Sequence, residues 1–274
     1  MNKLRMILAF TMVVTLAVSG CGPRNVVVPT IISGTIKPVA LIAQAIAGTA
    51  LQVQVLAGND GAALQNAREL VSTSAVVFQT GTSIDTWSSG MEQGSVRFVS
   101  LSVALDKGTP GGSWLSFRNT TDMARLMRDT LDALYPALKE QFDSRYAVFM
   151  DQCSQADGRL KRLVWSAGTR AFLAEDTMWS SAAGDFGLRV VVQPGLKGFD
   201  LSGADAASRV ADWGSGEKTK VVVLNVAPGV STGVSRQSNG IVVCSLDALG
   251  ATVKGDFVPW LEGQLTVLGL AIGK

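Results

Sequence analysis

The chain has 274 residues, 47% of them apolar, a formal net charge of +2 and no histidine. That apolar share over that length builds a sizeable core in one large domain or two ordinary ones, and so even a charge balance gives nucleic acid no footing. Without imidazole, this chain has no Ser-His triad, no histidine general base and no histidine-bound metal of its own.

The first element is an apolar run from Met6 to Val18 behind Lys3 and Arg5. It is short against the roughly 20 residues of a spanning helix and is ordered as a secretion signal over residues 1–20. Its end, Val18-Ser19-Gly20-Cys21, resembles the lipobox of bacterial lipoproteins, in which cleavage leaves the cysteine first in the chain and acylated. The resemblance implies lipidation at Cys21 and an extracytoplasmic protein held on a membrane, on the periplasmic side or at the cell surface; ordinary secretion with cleavage nearby is the alternative. Loss of the signal removes Lys3 and Arg5 and leaves 22 basic residues against 22 acidic. Cys153 and Cys244 then remain in a compartment that permits disulfides, and both a bridge and two buried thiols stay open.

From Asn25 strands and helices alternate. Val26–Val28 is a β-branched run ended by Pro29, and Ile36, Val39, Ile42 and Ile46 recur at helical spacing before a stop at Gly48. The alternation at Leu51, Val53 and Val55 and the runs 75–78 and 96–101 predict strands. From Leu138 through Phe142, Phe149 and Leu160 to Leu163, apolar residues recur at steps of three and four. This spacing predicts one continuous helix face, with Pro136 in the first turn and a length of roughly 39 Å. Gly158 within it has no evident reason. Strands follow at 171–174, 188–192, 221–226 and 241–246, and helices at 177–185, 202–213 and 257–268, the second opened by a Ser202 and Asp205 capping pair. The fold class is α/β, with two similar lobes joined by one long backbone helix, each lobe a mostly parallel sheet flanked by helices. The expected divisions are 21–135, 136–163 and 164–274, and a ligand site would lie between lobes at the carboxyl ends of strands.

Two motifs fail on chemistry. Gly229-Val230-Ser231-Thr232-Gly233 fits the nucleophile-elbow pattern, but nothing here can take the serine proton, so it reads as a turn. Gly214-Ser215-Gly216-Glu217-Lys218-Thr219 lacks the glycine spacing of a phosphate loop and precedes a strand, so it reads as a solvated loop. No constellation for an enzyme is present.

Seven stretches in order carry a resemblance: the opening strand and helix (26–47), "VQVLAGND", "SAVVFQTGTSIDTW", "GGSWLSFRN", "LYPALKEQFDSRYAVF", "RAFLAEDTMWSSAAGDFGLRVV" and "VVCSLDALG". Together they resemble the solute-binding lipoproteins of zinc and manganese ABC transporters, some of which double as adhesins. The resemblance implies a metal held between lobes, usually by two or three histidines with carboxylates, a two-subunit ABC permease as partner, and a monomer. Carried over position by position, the first two ligand places fall on Asn59, in the Gly58-Asn59-Asp60-Gly61 turn, and on Gly112, two residues before Trp114-Leu115. The third and fourth fall on Asp176 and Asp247. Asp176, Asp247 and, if its loop turns inward, Asp60 suit a harder cation (Mn²⁺, Ca²⁺ or Mg²⁺) better than Zn²⁺. Helix capping or solvation of the same aspartates is the plainer reading. Trp87, Trp114 and Trp179 fall near the implied cleft, either as core or as stacking faces for an organic ligand. The implied function is a membrane-anchored solute-binding protein with a divergent, His-free interlobe site; the alternative is a degenerate member acting as a surface interaction or scaffold lipoprotein with no metal bound.

Overall fold

The computed structural model describes residues 29–92, 94, 96–105, 111–214, 216–217, 219–226 and 230–273. Cys21 and the run Val26–Val28 lie outside them. The first sheet contains β1 (Ile31–Gly34), β2 (Gln52–Val55), β3 (Val76–Gln79) and β4 (Arg97–Ser100), in the order β2-β1-β3-β4 and all parallel. β1 is central, with Ile32 set between Val53 and Val76. The helix after it, α1 (Lys37–Ala47), starts at a proline in its first turn and buries Val39, Ile42, Ala43 and Ile46, the stripe expected of a helix laid on a sheet. Ile36, predicted as helical, is instead the extended residue ahead of α1, buried in the same apolar cluster as the helix stripe. A short α2 (Ala67–Ser72) leads into β3.

Two consecutive helices follow, and the second links the lobes. α3 (Phe117–Leu134) is capped by the Ser116 hydroxyl, which accepts the Asn119 N–H at 3.1 Å. Pro136–Leu138 forms a separate 3₁₀ turn, and the long helix α4 runs from Lys139 to Trp165. Its 27 residues span about 40 Å. Phe142, Phe149, Cys153, Ala156, Leu160 and Val164 make its buried face, packed against α1 and α3. Lys139 bonds Asp132 and Asp143 on the exposed side. Nothing in the structure requires a glycine at 158.

The second sheet holds β5 (Ala171–Ala174), β6 (Arg189–Val192), β7 (Val221–Asn225), β8 (Gly233–Arg236) and β9 (Val242–Leu246), in the order β6-β5-β7-β9-β8. All pairs are parallel except β8 with β9. β8 is a short, largely exposed edge strand, so it has no hydrophobic alternation by which to be predicted. Helices α5 (Ser180–Asp185) and α6 (Ala206–Trp213) start three and four residues later than the predicted 177 and 202. The predicted capping pair does not form: the Ser202 hydroxyl donates to Asp200 at 2.6 Å, and Asp205 makes no cap bond. The last helix, α7 (Phe257–Ile272), is apolar on most sides because it lies between α4 and β9.

One apolar cluster runs through both lobes, from Ile32 and Phe78 through Trp114 and Phe149 to Phe172 and Phe257. Among the described residues, no helix is long and apolar enough to cross a membrane. Cys153 on α4 and Cys244 on β9 are free and buried, and burial pushes both thiols up to about 12. They are therefore protonated and unreactive in the folded chain. In the unlipidated chain 22–274, a thiol reagent at about pH 8 will label neither cysteine while folded and both in denaturant; labelling of the native protein would contradict this burial.

Candidate functional site

The carboxyl ends of both sheets meet at a junction built from the loops around Gly61, Gly112, Met178 and Asp247. Gly112 takes φ +72°, a left-handed conformation that favours glycine. A Cβ there would stand 1.8 Å from the Met178 carbonyl oxygen. The space that a side chain at 112 would need is thus filled by the backbone of the opposite lobe. Trp114, fully buried, reaches across and donates its indole N–H to the Ala248 carbonyl at 2.8 Å. Ser116, the α3 cap, donates its hydroxyl to Asp185 at the end of α5, also across the junction, at 2.7 Å. Burial raises the Asp185 carboxyl above the usual range, while the Ser116 hydroxyl and the Arg118 N–H act in the opposite direction.

Asp247 is 1% exposed, and both its oxygens are occupied. Oδ1 accepts the N–H groups of Leu249 and Ala251 at 3.2 and 3.0 Å, and Oδ2 accepts the N–H and hydroxyl of Thr252, each at 2.7 Å. A carboxylate offers about four lone-pair sites, so Asp247 is saturated by its own loop. Asp176 and Asp60 are exposed, and each accepts a backbone N–H two residues on, from Met178 at 2.8 Å and Ala62 at 3.0 Å. These are Asx turns. Asn59 is exposed beside Asp60. Among the described residues no three His, Cys, Asp or Glu side chains group to hold a metal ion, so Asp60, Asp176 and Asp247 are not gathered into one carboxylate set. Zinc prefers nitrogen and sulfur donors, and the donor set at this junction does not fit it.

The tryptophans are structural. Trp179 is 1% exposed and donates to Asn225 at the end of β7, and half-buried Trp87 donates to the Gly61 carbonyl at 3.0 Å. The indoles of Trp114 and Trp179 are covered by protein and do not face a ligand. Sequence reasoning missed Asp85, which is buried and accepts the Thr35 hydroxyl at 2.8 Å and the Thr80 N–H, tying together the ends of β1 and β3. Its only signal was one carboxylate in a run of small hydroxyl residues. Met178 acts through its carbonyl, which leaves no signature in sequence.

Gly112→Ala should cost at least about 2 kcal/mol, from the contact with Met178 and the positive φ, and lower the melting temperature by about 4–8 °C; an unchanged melt would mean that the junction is loose. Asp247→Ala leaves three backbone donors without their acceptor and should cost at least about 3 kcal/mol, against under about 1 kcal/mol for Asp176→Ala. Denaturant titration of both variants checks this, and equal small losses would contradict the assigned capping role.

The profile of the zinc-uptake complex component A family, periplasmic (ZnuA), matches residues 32–270. A sequence search finds no match among curated proteins. Among solved structures, the chain is similar to the metal-dependent lipoprotein YcdH from Bacillus subtilis, with TM-score 0.73 and 16% identity over 89% of this chain and 99% of that one. It is similar to the Zn(II)-bound ZnuA-like domain of AdcA from Streptococcus pneumoniae, with TM-score 0.71 and 17% identity over 89% and 99%. It spans 58% of the longer Zn(II)-bound AdcA chain. The laminin-binding adhesin Lmb of Streptococcus agalactiae matches with TM-score 0.68 and 15% identity over 88% and 98%. Identities this low show the fold alone. The profile covers most of the sequence, and the chain belongs to the ZnuA family, periplasmic solute-binding components without enzymatic activity that bind divalent metal ions such as zinc and work with an ABC permease.

Proposed function

We propose that this chain is a lipid-anchored, extracytoplasmic member of a metal-type ABC uptake system whose His-free interlobe junction is packed shut against zinc. It serves that system through its two-lobed surface. The observation that carries this reading is the seat of Gly112 on the Met178 carbonyl, which leaves no room for a side chain at 112; the resemblance puts a histidine ligand at that position. The saturation of Asp247 supports it. The anchor rests on the Val18-Ser19-Gly20-Cys21 order, with acylation at Cys21 and signal removal over 1–20. Residues 21–135 form the N-terminal lobe, 136–163 the link and 164–274 the C-terminal lobe, and an ABC permease docks on both lobes.

The rival reading is a receptor re-tuned to oxygen donors, taking Mn²⁺, Ca²⁺ or Mg²⁺ at Asp60, Asp176 and Asp247. Elemental analysis of untagged chain 22–274, followed by calorimetric titration with Zn²⁺, Mn²⁺ and Ca²⁺, separates the two. The expected result is no stoichiometric metal and no saturable heat. One equivalent of a cation, lost in both Asp176→Asn and Asp247→Asn, would replace the sealed junction with the oxygen-donor receptor.

A further inference from the structure

We propose that the helical back of the molecule carries a separate small-molecule site, which takes a zwitterion with an apolar body. A cavity of about 400 Å³ lies between α1, α4 and the first turn of α7, within the size range of small-molecule sites. None of its walls comes from the junction loops. Its apolar face is made by half-buried Leu41 and Ala45 of α1 and exposed Val148 of α4, over a floor of buried Phe149, Phe257 and Val258. Val148 is 57% exposed at the surface, so apolar area is open there to a ligand as well as to water.

The polar groups decide the class of ligand. Arg145 and Asp256 line the same cavity with opposite charges, yet among the described residues neither side chain has an ion pair or hydrogen bond, with the other or with any third group. Asp256 precedes α7 at the cap position without capping it. Arg145 lies over the end of α1. α1 ends at Gly48 with φ +59°, and a Cβ on Gly48 would lie 2.1 Å from the guanidinium carbon of Arg145. The guanidinium therefore occupies the space that a side chain at 48 would take. The Gln44 amide donates to the Gly48 carbonyl and fixes that turn. A simple anion entering here meets the Asp256 carboxylate, and a simple cation meets Arg145. A molecule with an acid group for Arg145, an ammonium for Asp256 and an apolar body for Leu41 and Val148 satisfies all three surfaces at once. Amino acids, short apolar peptides and ethanolamine lipid headgroups share this chemistry.

The test uses unlipidated chain 22–274 and calorimetry with leucine, leucyl-leucine, N-acetyl-leucine and leucine amide, alongside sedimentation with phosphatidylethanolamine vesicles. A free zwitterion is expected to bind with a Kd of about 1 mM or tighter, and each singly blocked analogue about tenfold more weakly. Arg145→Gln and Asp256→Asn, both exposed positions, should each weaken binding about tenfold with unchanged melting. Binding to vesicles alone, with the same dependence on Arg145 and Asp256, supports the site and assigns it to a lipid headgroup. Failure of both free zwitterions and vesicles to bind overturns the proposal, as does equal binding of the blocked analogues or indifference to the substitutions. The junction plays no part in these readouts, so the sealed-junction reading stands or falls separately.

Discussion

The contact on which the junction depends is the backbone of Gly112 against the carbonyl of Met178. It needs a residue without a Cβ and with positive φ, and glycine alone meets both demands without strain. Once the backbones touch, Trp114 is carried under the opposing loop, where it is fully buried and its N–H meets the Ala248 carbonyl. An indole buries about 150–250 Å², worth about 4–6 kcal/mol of apolar burial. The same turn delivers Ser116 to a double task, as cap for α3 and as donor to Asp185. Any widening at Gly112 would strain the Trp114 and Ser116 contacts together, because they lie within four residues.

Behind this seam the two lobes share a core. The apolar cluster passes continuously through α4 and α7 from one sheet to the other, and Arg159 of α4 pairs with Glu262 of α7 at 2.6 Å on the outside. Opening the lobes would expose Trp114 in front and would have to bend or unpack a helix of about 40 Å behind. Helices are stiff unless proline, a bulge or an inserted group breaks their ladder, and α4 has no proline between Lys139 and Trp165. The arrangement favours small adjustments in loops over separation of lobes.

Much of the frame was legible in the sequence because it rests on side-chain patterns. The apolar runs at 76–78, 221–223 and 242–243 are buried strands of the two mostly parallel sheets, and continuous apolar runs are how such strands appear. The face of α4 was readable from Phe142 to Leu160 by period alone. What escaped was local or backbone-made. β8 has no buried alternation, Ile36 shares a helical spacing while lying in extended chain, and Ser202 found a nearer partner in Asp200. At the junction, Gly112 stood out as a missing histidine, but its partner is a main-chain oxygen, and the sequence around Met178 does not record which way that carbonyl points.

Asp247 shows how a carboxylate is kept in such a place. Buried in low dielectric, an unpaired charge is expensive, and it needs either a cation or several donors. Its loop supplies four donors, three of them backbone N–H groups that bend around the carboxylate from Leu249 to Thr252. The Gln264 side chain on α7 holds the Asp247 N–H from behind at 2.8 Å. Charged hydrogen bonds of this kind contribute about 1.5–3 kcal/mol each, enough in sum to hold the ion without metal. A cation arriving at Asp247 would therefore compete with the loop's own fold, whereas one arriving at the exposed Asp60 or Asp176 would compete mainly with water. The residue in the resemblance's fourth ligand place stabilises the loop that carries Ala248, and through the Ala248 carbonyl it stabilises Trp114 and the closed seam.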